Sequence, residues 1–192
     1  MRIQKLISTL TLAITLCIGT TAIAQTSKSK KDTKMVGGAE MYPSKDIIAN
    51  AVNSEDHTTL VAAVKAAELV ETLQGEGPFT VFAPTNDAFD KLPKGTLSTL
   101  LKPENKTKLQ AVLTYHVLPG RYSAKDIMKA INKGDGKATF TTVQGSTLIA
   151  TLKDDQIILK DASGNLSTVT ISDVHQSNGV IHVVDTVVLP KM

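Results

Sequence analysis

The chain has 192 residues, 42 % of them hydrophobic and 20 % charged, with a formal net charge of +3. That length suits one domain with extensions, and the proportions are those of a folded chain, which excludes a wholly disordered one. There is a single cysteine, Cys17, so no disulfide within the chain is available and the core must hold the fold by packing.

Residues 1–24 read as a secretory signal. Arg2 and Lys5 open it, an apolar run with interspersed Ser and Thr follows, and Ala22-Ile23-Ala24 supplies a small-x-small site before Gln25. The run is too short and interrupted to span a bilayer, and its composition is of the bacterial kind. Leu16 before Cys17 is too large for lipid attachment at that thiol. Without this segment nineteen Lys and Arg face eighteen acids, so the charge gives no case for nucleic acid. No membrane span is expected after its removal.

Residues 25–39 are rich in Lys and Ser, end at Gly37-Gly38, and are expected to form a flexible polar linker. The folded domain is expected over residues 40–192, with Met35-Val36 and Met41-Tyr42-Pro43 lying along its surface as a partly ordered lead-in. Helical periodicity begins at Ser44, where Ile47, Ile48 and Ala51 share a face. After Asp56, read as an N-cap, Leu60, Val61, Val64 and Ala67 recur at helical spacing. Gly75 and Gly77-Pro78 close this region.

In the run from Phe79 to Ala83, alternate residues face opposite sides of a short strand that Pro84 stops, because proline has no N–H for a ladder. Thr85 or Asn86 then caps a helix containing Asp87, Ala88 and Phe89. Further helices are expected over residues 96–101, from Pro103 through Leu109, Val112 and Leu113, and over residues 123–131 with Ser123 as cap. Past Gly136 the period becomes two. Strands are expected over residues 138–143, 147–152, 156–160, 166–171 and 180–189, with turns at Gly145-Ser146, Asp154-Asp155 and Gly164-Asn165. Helices in the first two-thirds and antiparallel-rich strands in the last third predict an α+β fold.

Three stretches carry a family resemblance: Pro78-Phe79-Thr80-Val81-Phe82-Ala83-Pro84-Thr85-Asn86-Asp87-Ala88-Phe89, Tyr115-His116-Val117-Leu118-Pro119-Gly120, and the run from Asn178-Gly179-Val180-Ile181-His182 to Leu189-Pro190. In this order, and spread over most of the chain, they resemble the signature blocks of the fasciclin domain. The resemblance implies that the last strand returns beside the first. It also implies adhesion as the activity, with partners among cell-surface or matrix proteins or polysaccharides, and self-association as a further mode. In animal members an Asp-Ile pair before the last block, and the Tyr-His block, are tied to integrin contact. The matching positions here are Asp173-Val174 and Tyr115-His116.

Tyr115, His116, Asp173, Val174 and His182 are therefore the candidate adhesion contacts. Beside that reading stands a plainer one, in which both histidines are packed among apolar neighbours, Asp173 caps a turn and Val174 fills the core. No catalytic residue, cofactor site or metal site is assigned. His175 and His182 lack helical spacing and acidic or thiolate companions, no Ser occupies a Gly-x-Ser-x-Gly turn, and the two Gly-x-Gly pairs lack a third glycine. The expected function is an exported, non-catalytic binding or adhesion module, secreted, periplasmic or held at the cell surface. The alternative is a carrier of a lipophilic ligand such as a carotenoid or lipid, against which the absence of Trp and the scarcity of Phe and Tyr weigh.

Overall fold

The computed structural model describes residues 33–191, and the signal reading of residues 1–24 lies outside them. A small antiparallel hairpin, β1 (Lys34–Val36) and β2 (Ala39–Met41), comes first. Helices α1 (Ile47–Ala51), α2 (Thr58–Ala66) and α3 (Val70–Gln74) lead into strand β3 (Phe79–Pro84). Then follow α4 (Asn86–Asp90), α5 (Thr96–Leu100), α6 (Lys106–Tyr115), β4 (Val117–Pro119) and α7 (Ala124–Lys133). The chain ends in β5 (Lys137–Thr141), β6 (Thr147–Lys153), β7 (Gln156–Lys160), β8 (Leu166–Gln176) and β9 (Gly179–Val184).

Seven strands form one sheet in the order β4-β3-β9-β8-β7-β6-β5. All its pairs are antiparallel except β3 with β9, which run parallel from Phe79 opposite Gly179 to Pro84 opposite Val184. The last strand thus lies beside the first long one, as the resemblance implies. The edges meet at one corner, where Val143 N–H donates to the Val117 carbonyl at 2.8 Å. Strand periodicity sorts the core. Val81, Ala83, Ile181 and Val183 pack with residues of α1, α2, α3 and α6, whereas Phe82, Leu118, Leu148, Leu159 and Val184 pack with Ile127 and Ile131 of α7.

Four differences from the sequence reading have physical causes. The expected linker over residues 25–39 overlaps the hairpin. Gly37 and Gly38, both at positive φ, make its turn, and Val36 and Met41 are buried in the core. Two three-residue strands carry too little alternation to read as such; their order comes from long-range burial. Asp56 is not the N-cap of α2, because it lies in a 3₁₀ turn, Glu55–His57. The first-turn N–H of Thr59 instead reaches Asn86 Oδ1 at 3.0 Å, and Asn86 Nδ2 donates to the Glu55 carbonyl at 2.8 Å. The helix expected from Ser44 begins at Ile47 behind the cap of Asp46, whose Oδ1 accepts from Ala49 N–H. Lastly, the strand expected over residues 180–189 stops at Val184, opposite Pro84, where its parallel partner ends. Beyond it the Leu189 N–H goes to the buried carboxylate of Asp161 at 3.0 Å.

The joint between β3 and β9 is closely fitted. A Cβ on Gly179 would stand 2.3 Å from the Phe79 carbonyl oxygen, and one on Gly77 would stand 2.2 Å from that of Asn178. Asn178 itself accepts from Ile47 N–H at 3.1 Å and donates to the carbonyls of Leu73 at 2.8 Å and Gly75 at 2.9 Å. One buried amide therefore ties α1 and the end of α3 to the start of β9. Asn178→Ala would orphan these groups, and we expect it to cost about 3 kcal/mol, read from urea melts with an unchanged m-value. Asn132→Ala on the exposed side of α7 should cost under about 0.5 kcal/mol; equal effects would refute the tie.

Candidate functional site

The five candidate residues fall into two groups. Tyr115 and His116 end α6, with 0 % and 3 % of their surface exposed. Tyr115 Oη donates to the Thr147 carbonyl at 2.7 Å, pinning α6 to β6, and burial raises its phenol pKa. His116 Nδ1 lies 2.8 Å from the Val112 carbonyl, and its Nε2 lies 3.1 Å from the N–H of Val188. A carbonyl can only accept and an N–H only donate, so the ring is held as the neutral Nδ1–H tautomer. Burial depresses its pKa to about 4.

The second group surrounds a bulge in β8. The β8–β9 register slips between Ile171 and Val174, and Asp173 there takes φ +55°. The bulge aims successive side chains in different directions. Val174 is fully buried in the core beneath the helices, while the Asp173 carboxylate accepts from Ala124 N–H at 2.7 Å, at the start of α7. The Asp173 N–H donates to His182 Nδ1 at 3.2 Å, and His182 Nε2 faces the Tyr122 carbonyl at 2.9 Å. That arrangement fixes the opposite tautomer, with the proton on Nε2. His182 is fully buried, its ring stacked 5.7 Å from that of Phe82, and burial lowers its pKa.

Four of the five candidates thus offer no surface to a partner in this fold, and Asp173 is half-buried with its carboxylate turned to α7. They are joints between elements: the two histidines and Val174 are packed inside, and Asp173 bonds the start of α7 instead of capping a turn of its own. The integrin-type contact suggested for Asp173-Val174 and Tyr115-His116 requires side chains that this packing withholds. Several other joints are not singled out from the sequence. Buried Asp161 accepts from the N–H groups of Ser163, Asn165 and Leu189 and from Asn165 Nδ2, at 2.8–3.0 Å. Thr80 Oγ1 donates to the Gly120 carbonyl at 2.7 Å and accepts from Tyr122 N–H at 2.8 Å. Exposed Arg121 donates to the carbonyls of Gln176, Ser177 and Gly179.

Among the described residues no group of three His, Cys, Asp or Glu side chains could hold a metal ion. A cavity of about 70 Å³ lies between the sheet and α1–α3, with a mostly apolar lining that includes Met41, Ile48, Val64, Phe82 and Ile181 and, among polar side chains, His57 and His116. Its size is about half that of a cavity that admits benzene, so a carotenoid does not fit it in this conformation. At its border His57 pairs with Ser54 Oγ through Nδ1 at 2.8 Å, while its Nε2 is the buried side-chain polar atom without a partner among the described residues.

These features define an α+β domain in which Tyr115, His116, Asp173 and His182 are engaged in internal contacts, while His57 Nε2 is left without one. The chain belongs to the fasciclin family: the fasciclin domain matches residues 55–190. It is 44 % identical to Protein sll1483 of Synechocystis over 90 % of this chain and 88 % of that protein. It is 36 % identical to the cell surface glycolipoprotein MPB83 of Mycobacterium bovis, covering 76 % and 61 % of the two chains. Human periostin is 33 % identical over 71 % of this chain, which spans 15 % of periostin. In fold it resembles a FAS1 domain pair from the insect cell adhesion molecule Fasciclin I, with a TM-score of 0.67 at 18 % identity over 76 % of this chain and 51 % of the other.

The buried histidines make stability depend on pH in a fixed direction. With a folded pKa of about 4 against about 6.5 unfolded, His116 takes up its proton more readily in the unfolded chain between those values. Its stabilising contribution is complete above about pH 6.5 and is lost as pH falls towards 4, a loss of about 3 kcal/mol. His57 and His182 shift the same way. Urea midpoints should therefore fall steadily from pH 7 to pH 4, and His116→Gln should flatten that dependence. A midpoint constant across this range would contradict the burial of neutral imidazoles in the fold.

Proposed function

We propose that this chain is an exported, non-catalytic binding module that adheres to polymers of the cell surface or extracellular matrix. Export rests on the signal-like residues 1–24, with the periplasm, the cell surface or the surrounding matrix as its place of work. Adhesion rests on family membership, on the naming of MPB83 as a cell surface glycolipoprotein and on the naming of Fasciclin I as a cell adhesion molecule. Among the described residues no helix is long and apolar enough to cross a membrane.

One observation carries the non-catalytic part. Chemistry needs a group whose proton or lone pair is free to reach a substrate. His116 and His182 have both ring nitrogens engaged, Asp161 and Asp173 hold backbone N–H groups, and all four serve the packing of their own chain. Work is then left to the exterior, presented by a rigid core. Weak contacts repeated over many copies on a surface sum to adhesion without a deep site.

The test is saturable binding of the labelled protein to intact cells and to purified matrix of its own source, beside turnover assays on ester and glycoside panels. Binding with no turnover is expected. Turnover abolished by His116→Gln or His182→Gln in folded protein would overturn the proposal, as would absence of any binding. Asp173→Ala is expected to lower the melting temperature through loss of about 1 kcal/mol of capping at α7 while leaving binding intact well below the melt. Selective loss of binding in that folded variant would return the site to Asp173.

A further inference from the structure

Cations recur at a strict four-residue spacing from Arg121 through Lys125, Lys129 and Lys133 to Lys137, and all five are exposed. The three central lysines lie within α7, where positions four apart share a face. They form an oblique row on the solvent side, successive positions about 6 Å apart along the axis and turned by about 40° around it. The opposite side of the helix is anchored by Ile127 and Ile131, both fully buried. A reciprocal capping box between Ser123 and Asp126 fixes its first turn, so the column is rigidly presented.

The placement works against the helix itself. Lysines four apart repel one another, and Lys125 stands in the first turn, where the positive end of the helix dipole disfavours a cation. A helix face selected only for solubility mixes signs, because Glu–Lys pairs at this spacing are favourable. Here the acid on the face is Asp126, and its carboxylate is bonded to the Ser123 N–H and hydroxyl; Asp135 follows in the turn beyond. Among the described residues the ion pairs are Lys91–Asp185 and Lys106–Glu68, so none of the three column lysines is in salt-bridge contact with a carboxylate, although Lys129 and Lys125 both act through their charge on Asp126.

We infer that the exposed face of α7 binds a linear acidic polysaccharide, one bearing carboxylate or sulfate groups at regular intervals. The inference rests on the adhesion reading above and names its surface and its partner. Regular anions along an extended chain that crosses the helix obliquely match an inclined, evenly spaced row of cations. Lysine suits them as a freely rotating point charge, whereas bidentate phosphate recognition favours arginine. The face has no exposed apolar side chain to enter a lipid interface, and no aromatic ring on which a nucleobase would stack. Asn132, exposed beside Lys129 and Lys133, offers an amide to sugar hydroxyls.

The purified protein is to be titrated with alginate and dextran sulfate, with neutral dextran, a short DNA duplex and phosphatidylglycerol vesicles as comparisons, over a range of salt. Binding to the two acidic glycans and not to dextran is expected, weakening steeply with salt. Replacing Lys125, Lys129 and Lys133 together by Gln should lower affinity by about tenfold or more and make the salt slope shallower by about two to three counterions, with unchanged melting. Replacing Lys94, Lys102 and Lys108 by Gln removes the same charge elsewhere and should leave binding near the parent value. Equal loss in both triple variants would overturn the inference as a net-charge effect. Tighter binding to the duplex or the vesicles than to either glycan would overturn it too. If the column variant loses glycan binding but still coats cells and matrix, the adhesion reading stands and this partner falls. If glycan binding holds while the parent protein coats neither cells nor matrix, the adhesion reading falls.

Discussion

The structure depends on two extended segments, remote in sequence, lying in contact along their backbones. β3 and β9 are the one parallel pair in an otherwise antiparallel sheet. Their start tolerates no side chain, since the Phe79 carbonyl lies where a Cβ of Gly179 would project. A parallel pair needs a long crossover, and here the crossover is most of the domain: α4 to α7 and β4 to β8 all lie between the two strands. Closing so large a loop carries an entropic cost, though one that grows only slowly with length. The joint is correspondingly well furnished. Asn178 secures α1 and α3 against it, Thr80 ties β3 to the turn at Gly120, and Arg121 caps the carbonyls that precede β9.

The two buried histidines are part of the same construction. Each sits where an apolar side chain would leave a backbone N–H and a carbonyl unpaired, and each satisfies both by adopting a fixed tautomer. His116 joins the end of α6 to Val188, and His182 joins the β8 bulge to Tyr122. An amide cannot copy this geometry across a rigid ring's span, and a charged residue would be buried without a counter-charge. Their appearance in the family's signature blocks follows from joinery and requires no partner. The arrangement also substitutes for cross-links. With the sole cysteine at position 17, the domain has no disulfide with which to fasten its long loops.

Much of the fold was legible because its signals are local. The helices from Thr96 onward and the hairpin strands after Gly136 follow from periodicity and from turn residues such as Asp154-Asp155, both at positive φ. What was illegible is long-range by nature. Nothing near Asn86 announces that its amide will serve the first turn of α2, displacing Asp56 from that role. Gly37-Gly38 reads as the end of a linker until Val36 and Met41 are seen to be buried against distant residues. The orientation of the candidate contacts was hidden for the complementary reason. Asp173 and Val174 are adjacent in sequence, but a bulge directs one to α7 and the other to the core, and only the β8–β9 register reveals it. Chemistry-bearing residue types are visible in the sequence, yet their orientation is not.

It follows that the interior and the exterior of this domain answer to different demands. The interior spends its polar groups on geometry, and a change at His116, Asn178 or Asp161 acts first on whether the elements meet at all. The exterior meets that demand at few places, Arg121 among them, so a regular pattern among side chains that make no such bond calls for a separate cause. The column on α7 is such a pattern: its lysines secure no element, and Lys125 opposes the helix that carries it. Random surface variation would scatter charges of both signs over a face whose buried side already guarantees the helix. A row of one sign, repeated at an even spacing over about two turns of the helix, is better explained by something outside the chain that carries charges of the other sign at a comparable interval.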